Sequence, residues 1–310
     1  MAPHRLPALL VALAVALGCG GGDDAGGGAE RAAAPPAPTC TPGTLAGRNY
    51  ELCTPGGRPV DDADGLVVAL HGRGASAADM RDMTALDVPA AAADLAVVYP
   101  EALDGAWGDD TFVSPSRPAG DEDVRFLDAL ADDLAPGEAV SLVGFSNGAS
   151  MALRYAAARP DRVRAVVAVA GQLARDPAVR PTGRVPLLVV YGDADPVRPF
   201  AVGLAEPVTR APGERTPTLP TPDTLAAFAG TATHAGPEPS DADPGDGTTV
   251  LTERWTDGDG TVAVLRTVVG GGHTWPSSPA PSPAAFGLVS RDLDASAEAI
   301  RFVTEGDVAP

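Results

Sequence analysis

The sequence predicts an α/β fold in which a mostly parallel central sheet is covered by helices on both faces. Two observations carry this prediction. Short, near-continuous apolar runs alternate with amphipathic segments along much of the 310 residues, and such runs are typical of parallel strands buried on both faces. A Gly-x-Ser-x-Gly pentapeptide, residues 144–148, also stands between one such run and a helical segment, which indicates a strand–turn–helix junction at this point.

The first 38 residues are predicted to lie outside this fold. A short basic region precedes an apolar run that ends at Cys19 and is too short to span a bilayer comfortably. Residues 1–19 are therefore typical of a lipoprotein signal peptide with Cys19 as the lipidated residue; ordinary secretion with a free Cys19 is the alternative. Residues 20–38 are rich in Gly, Ala and Pro without apolar periodicity, which predicts a flexible tether. We expect an exported protein, either a cell-envelope lipoprotein or secreted, with its folded domain at 39–310.

Two cysteines remain inside the predicted domain, Cys40 and Cys53. They form an even pair if Cys19 carries lipid, and exported domains fold in an oxidising compartment. We predict a Cys40–Cys53 disulfide at the N-terminal edge of the domain. Two unrelated thiols are the alternative.

Strand and helix signals alternate after the tether. Residues 121–134 place four apolar residues on one helical face behind an acidic start, and residues 147–158 follow the pentapeptide as a second helix. Six apolar runs are predicted as strands: 48–53, 65–70, 95–100, 139–144, 164–171 and 185–192.

The second half of the chain breaks this alternation. Residues 201–247 are rich in Pro, Thr, Gly and Asp, with a helical patch at 223–229. We expect an excursion over one end of the sheet that contributes to the substrate wall. Two strands, 248–255 and 261–269, flank an Asp-Gly-Asp-Gly turn and predict a hairpin. A closing helix is predicted at 294–304.

Ser146 lies at the centre of the pentapeptide Gly-Phe-Ser-Asn-Gly. A serine in this strand-to-helix turn has its Oγ raised above the sheet, and side chains in place of Gly144 or Gly148 would clash with the adjoining strand and helix. We predict that Ser146 is a nucleophile. A glycine-rich turn with a capping serine is the alternative.

A serine hydroxyl needs a base to act as a nucleophile. The chain has four histidines. His4 lies in the signal segment, His234 lies in the excursion, and His71 precedes the serine. His273 follows a predicted strand through three glycines and fits the chain order serine, acid, histidine. The acid is expected after the strand 185–192, where Asp193 and Asp195 are both candidates.

An oxyanion formed at the substrate needs two N–H donors. The amide of Asn147 follows the nucleophile, and a second donor is expected in the loop after the strand 65–70. We assign the amide of Arg73, with Gly72 as the alternative. The ring of His71 is expected to hold this loop in place.

Residues from about 40 to 304 resemble the esterase family that includes extracellular polyhydroxybutyrate depolymerases, feruloyl esterases and acetyl xylan esterases. The resemblance rests chiefly on GFSNG at 144–148, LLVVYGDADPVRPF at 187–200 and GGHTWP at 271–276. It implies an α/β-hydrolase fold, cleavage of carboxylic esters, and neither a metal nor an organic cofactor. It also implies that the acid is Asp195, the fourth residue of a Gly-x-x-Asp arrangement.

The expected function is ester hydrolysis through an acyl-enzyme formed on Ser146. The resemblance implies small or oligomeric ester substrates, including plant polysaccharide esters and polyhydroxyalkanoates. Trp107 and Trp275 are candidate stacking contacts for an aromatic or sugar group, and packing of these rings under loops is the alternative. A peptidase or amidase of the same fold, and a non-catalytic surface lipoprotein that binds a glycan or a partner, are the alternatives.

The charge of the chain bears on its partners. The formal net charge is -19, and a chain this acidic repels nucleic acid and anionic lipid head groups. We expect a monomer that binds no nucleic acid and contacts a membrane only through lipid at Cys19.

Overall fold

The described residues consist of alternating strands and helices over much of their length. The predicted signal segment, Cys19 and most of the predicted tether lie outside the described residues, and the last tether residue, Pro38, opens the first strand. No helix in the part of the chain that the structure describes is long and apolar enough to cross a membrane. The computed structural model describes residues 34–113, 121–181, 184–203, 214–215 and 217–308.

The described residues contain twelve strands. Ten of them form one sheet, and the two-residue strands β5 and β9 pair with each other outside it. The strands are β1 (Pro38–Leu45), β2 (Arg48–Pro55), β3 (Leu66–Leu70), β4 (Ala96–Pro100), β5 (Phe112–Val113), β6 (Val140–Phe145), β7 (Val163–Val169), β8 (Leu187–Gly192), β9 (Glu214–Arg215), β10 (Thr233–Ser240), β11 (Thr249–Asp257) and β12 (Gly260–Val269).

The large sheet has the strand order β1-β2-β4-β3-β6-β7-β8-β12-β11-β10. The neighbours from β4 to β12 run parallel, and antiparallel strands flank them on both sides. The six central strands are buried on both faces, as their apolar runs predict. The predicted mostly parallel sheet is therefore confirmed.

Helices cover both faces of this sheet. Apolar residues of α3, α4 and α5 pack against one face, and those of α1, α2 and α6 pack against the other. The four apolar positions predicted on the face of α3 are all buried. The helices are α1 (Ala77–Thr84), α2 (Asp87–Ala92), α3 (Asp121–Leu134), α4 (Asn147–Ala158), α5 (Thr221–Ala229) and α6 (Ala295–Glu305).

The segment 201–247 differs from its prediction. Its described part contains α5, which packs against β8 and β12, and β10, which pairs with β11 and ends the sheet. This part of the chain therefore extends the sheet instead of crossing one end of it. The strand escaped prediction because all its residues are exposed, so its sequence carries no apolar alternation.

A disulfide joins Cys40 and Cys53, the predicted pair. The two cysteines lie directly opposite each other in the antiparallel hairpin of β1 and β2. The disulfide therefore closes the hairpin that forms one edge of the sheet.

Candidate active site

Ser146 lies in a strained turn between β6 and α4. Its backbone angles are φ 54° and ψ -115°, a combination that non-glycine residues adopt only when the surroundings enforce it. The Ser146 N–H donates to the carbonyl of Val169 on the neighbouring strand, with 2.8 Å between N and O. Strained backbone of this kind clusters at active sites, so the turn is a candidate functional site.

Two glycines allow this turn to close. A side chain at Gly144 would overlap the backbone of Gly148, and one at Gly148 would overlap the carbonyl oxygens of Leu70 and His71. The start of α4 therefore rests directly on the end of β3. The pentapeptide has glycine at both flanking positions because backbone meets backbone there.

His273 connects Ser146 to Asp195. Its Nε2 lies 2.8 Å from Ser146 Oγ, and its Nδ1 lies 2.7 Å from Asp195 Oδ2. The side chains of His273 and Asp195 are 4% and 0% exposed. The three residues follow β6, β8 and β12, so parallel strands that end at the same edge bring them together.

The two candidate acids have different partners. The second oxygen of Asp195, Oδ1, accepts the backbone N–H groups of Val197 and Arg198 at 2.7 and 2.8 Å. Asp193 instead accepts the N–H of Gly270 at 2.6 Å, where it anchors the start of the loop that carries His273. The geometry therefore favours Asp195 as the partner of the imidazole.

The loop after β12 holds the imidazole from its other side. The backbone N–H of His273 donates to the carbonyl of Phe286 at 2.6 Å, and the Phe286 ring meets the imidazole edge-on. Phe145, next to the serine, also packs against the imidazole, with 5.2 Å between ring centres. The imidazole is thus held by a carboxylate and two aromatic rings, while a backbone hydrogen bond fixes the loop that carries it.

The loop after β3 lies beside the serine. A Cβ placed on Gly72 would be 3.5 Å from the Cβ of Ser146, and both Gly72 and Arg73 line the cavity above it. The buried His71 ring accepts the N–H of Ala102 at Nε2, 3.0 Å away, and pairs through Nδ1 with the carbonyl of Gly72 at 2.7 Å. This ring holds the loop, as the sequence indicated.

The other two histidines lie elsewhere. His234 is exposed on β10, where it pairs with Glu253 at 2.9 Å and stacks on Trp255. His4 lies outside the described residues.

Ser146 opens into a cavity of about 630 Å³, a volume suited to a small organic ligand. Its lining includes apolar side chains from two segments: Met80 and Met83 of α1, and Pro281, Pro283 and Phe286 of the loop after β12. A hydrogen bond of 2.8 Å from Ser278 Oγ to the Met83 carbonyl joins these two segments.

The two predicted tryptophan contacts have different outcomes. Trp275 lines the cavity, although its indole N–H is used by Ser296 on α6 at 3.1 Å. Trp107 is fully buried, donates to the His71 carbonyl, and does not line the cavity. The predicted substrate contact at Trp107 is therefore wrong, because the ring packs under the loop that it supports.

The described part of 201–247 does not line this cavity either, so its predicted place in the substrate wall is also wrong for those residues.

Sequence reasoning missed two side chains that support the site. The side chain of Asn147 binds the backbone of Trp107 at both ends, accepting its N–H at 2.7 Å and donating to its carbonyl at 3.0 Å. Arg198 is buried beside Asp195. An arginine three residues after a predicted acid was a visible signal, but its long-range partners were not.

Comparison with known proteins shows which family the chain belongs to. A model of the phospholipase/carboxylesterase family matches residues 58–209. A protein from Nocardia uniformis subsp. tsuyamanensis, named as the esterase NocK, is 39% identical over 280 residues, which cover 84% of this chain and 81% of that relative. The chain belongs to the phospholipase/carboxylesterase family. It is an ester-hydrolysing serine hydrolase with the α/β-hydrolase fold, as expected from the sequence.

Two solved structures are similar to this esterase at low sequence identity. The acetyl xylan esterase from Aspergillus awamori is 14% identical, with a TM-score of 0.49, and the match covers 76% of this chain and 94% of that one. A phospholipase/carboxylesterase from Dyadobacter fermentans is 20% identical, with a TM-score of 0.43, and covers 71% and 88% respectively.

Proposed function

We propose that this esterase cleaves its substrate through an acyl-enzyme on Ser146, with His273 as general base and acid and Asp195 as the partner of the imidazole. One observation carries the proposal. The chain of hydrogen bonds from Asp195 through His273 to Ser146, at 2.7 and 2.8 Å, ends in the 630 Å³ cavity. A serine hydroxyl paired with a base, which a third group orients in turn, is the arrangement that activates a serine.

Acylation begins when Ser146 Oγ attacks the carbonyl carbon of the ester. The hydroxyl proton passes to His273 Nε2, and Asp195 accepts the hydrogen bond from Nδ1–H and stabilises the imidazolium. The tetrahedral intermediate collapses as the alcohol oxygen takes the proton from Nε2 and leaves. The acyl group then remains on Ser146.

Deacylation repeats these steps with water. His273 Nε2 takes a proton from a water molecule, and the water oxygen attacks the acyl carbon. The Ser146 oxygen leaves with the proton from Nε2, which releases the carboxylic acid and restores the enzyme.

The oxyanion that forms in both steps is held by the amides of Asn147 and Arg73. Two observations support this assignment. Asn147 is the first residue of α4, where backbone N–H groups lack partners within the helix. The loop that contains Gly72 and Arg73 lies against Ser146. A donor of this kind typically contributes about 3 kcal/mol of transition-state stabilisation.

The substrate is a small or oligomeric carboxylic ester with an apolar part that fits the apolar lining of the cavity, which includes Met80, Met83, Pro281, Pro283 and Phe286. Esters of plant polysaccharides and polyhydroxyalkanoates belong to the candidate set because of the sequence resemblance described above. A panel of p-nitrophenyl acetate and butyrate, methyl ferulate, acetylated xylan and hydroxybutyrate oligomers, compared by kcat/KM, ranks these classes.

The protein is further proposed to act outside the cytoplasm, anchored by lipid on Cys19. The apolar run before Cys19 and the disulfide between Cys40 and Cys53 support this location.

Substitution of the three site residues tests the proposed mechanism. Ser146→Ala should abolish burst release of p-nitrophenol and labelling by a fluorophosphonate probe, while the circular dichroism spectrum stays unchanged. Asp195→Asn should lower kcat about 10⁴-fold, since the imidazole loses its orienting acceptor. Asp193→Asn is the matched control, because the Asp193 carboxylate accepts a backbone amide of the loop and makes no hydrogen bond to the imidazole among the described residues, and it should retain most of the activity.

Full activity in Ser146→Ala would refute the proposed nucleophile. A larger loss of kcat in Asp193→Asn than in Asp195→Asn would show that Asp193, and not Asp195, is the acid that orients His273.

A further inference from the structure

Arg198 is a buried cation directly behind the acid. Its backbone N–H donates to Asp195 Oδ1 at 2.8 Å, and its own carbonyl accepts the hydroxyl of Tyr191 at 3.0 Å. Its guanidinium contacts two other residues. Nη1 donates to Ser150 Oγ at 2.6 Å, and Nη2 lies 3.7 Å from Asp109 Oδ2.

These two contacts join the acid loop to the segments that hold the nucleophile. Ser150 lies one turn after Ser146 on α4, and its N–H donates to the Ser146 carbonyl at 3.1 Å. Asp109 lies two residues after Trp107, whose backbone is bound by the side chain of Asn147. One guanidinium therefore links the acid loop to both segments.

The ion pair is enclosed. The side chains of Arg198 and Asp109 are 7% and 0% exposed, and Asp109 also accepts the hydroxyl of Thr111 at 2.8 Å. Loss of one partner would leave the other charge buried without compensation, which is strongly unfavourable. The planar guanidinium can reach two acceptors at once, which a lysine ammonium does less well.

We propose that Arg198 is a positioning residue that sets the distance between Asp195 and Ser146. The proposal rests on the proposed function of these two residues. Arg198 fixes the loop that carries the acid against α4 and the 107–109 segment, so that the imidazole meets the carboxylate and the serine at hydrogen-bond distance together. Because Arg198 also lines the cavity, direct contact with the substrate is the competing role, and a substrate contact would act on KM.

The first test compares Arg198→Met with a matched control. Arg266 is a similarly buried arginine that bonds to Glu298 at 3.1 Å, contacts Thr252, and does not line the cavity. Arg198→Met should lower kcat on p-nitrophenyl butyrate about 100-fold with little change in KM, the effect of a displacement of about 1 Å among reacting groups. Arg266→Met should lower the melting temperature while kcat stays unchanged.

The second test combines Arg198→Met with Asp195→Asn. If Arg198 acts through the acid, the double variant should lose less than about threefold in kcat relative to Asp195→Asn alone, since coupled residues are not additive. Arg198→Lys, which keeps the charge, should fall between the wild type and Arg198→Met and provides the comparison if the methionine variant does not fold.

Three outcomes would overturn the proposal. A raised KM with unchanged kcat would make Arg198 a substrate contact. A full further loss in the Asp195→Asn background would show that it acts independently of the acid. Unchanged kcat in Arg198→Met, with Ser146→Ala inactive, would refute the role of Arg198 and leave the proposed function intact.

Discussion

Asn147 serves the site with both its backbone and its side chain. Its amide is the proposed oxyanion donor, and its side chain bonds to the N–H and the carbonyl of Trp107 at 2.7 and 3.0 Å. The residue therefore locks the loop after β4 onto the start of α4. Because its side chain is bonded to the loop after β4, the position of the Asn147 backbone amide is also restricted. A fixed donor of this kind is the preorganisation that oxyanion binding requires.

His71 is held in one tautomer by its hydrogen-bond partners. Its Nε2 accepts the N–H of Ala102, so Nε2 carries no proton, and Nδ1–H donates to the Gly72 carbonyl. Burial, the largest effect, lowers the pKa of His71 below its ordinary value of 6.5. The folded protein therefore stabilises the neutral ring.

The lowered pKa predicts a specific loss of stability in acid. Below pH 6.5 the unfolded chain binds a proton at His71 that the folded chain resists, so the stabilisation from this ring is complete above pH 6.5 and declines as the pH falls. The free energy of unfolding changes through this one group by at most about 1.4 kcal/mol per pH unit. Urea midpoints of the wild type and His71→Gln, measured from pH 8 to pH 5, should converge as the pH falls.

A gap between wild type and His71→Gln that stays constant over this range would contradict the assignment. His234→Gln is the control, because it removes an exposed imidazole on β10 that takes no part in the site.

At the scale of elements, the sequence predicted those whose signal is local. The α3 helix repeats apolar residues at helical spacing over 14 residues, and β6 and α4 are marked by the pentapeptide between them. The α1 and α2 helices span only 8 and 6 residues, too few turns for a periodic signal to stand out. Exposed β10 has no apolar face to detect.

The β1–β2 hairpin contributes to stability, and this contribution can be tested separately from activity. Its disulfide closes a sequence separation of 13 residues, and a cross-link of this length stabilises a fold by about 3 kcal/mol. The double variant Cys40→Ser/Cys53→Ser should therefore unfold at lower urea concentration. Its kcat should match the wild type under native conditions, because neither cysteine lines the cavity.

Reduction of the wild-type protein with dithiothreitol should lower the urea midpoint by a similar amount. A fall in kcat in the folded double variant would contradict this prediction, because it would show that the hairpin influences the active site.

At the scale of the whole molecule, the order of the parallel strands assembles the site. Ser146 and His273 are 127 residues apart in sequence, and Asp195 and His273 are 78 apart. Sequence reasoning could identify each residue because each follows a predicted strand, and parallel strands end at one edge of a sheet. It could not identify the cavity wall, because α1 and the loop after β12 meet only through tertiary packing. Trp107 was misassigned for the same reason.

The N-terminal sequence and the disulfide both support the proposed location of the protein outside the cytoplasm. Cytosolic reductants keep thiols reduced, so a disulfide between Cys40 and Cys53 suits a protein that folds after export. If Cys19 is lipidated, the wild type expressed in a bacterium should incorporate labelled palmitate and fractionate with membranes. Cys19→Ser should lose the label and leave the membrane fraction, whereas Cys40→Ser/Cys53→Ser should keep both properties. Wild-type protein without the label and with free thiols at Cys40 and Cys53 would refute both the lipid anchor and the oxidising compartment. Wild-type protein without the label but with the disulfide intact would indicate ordinary secretion.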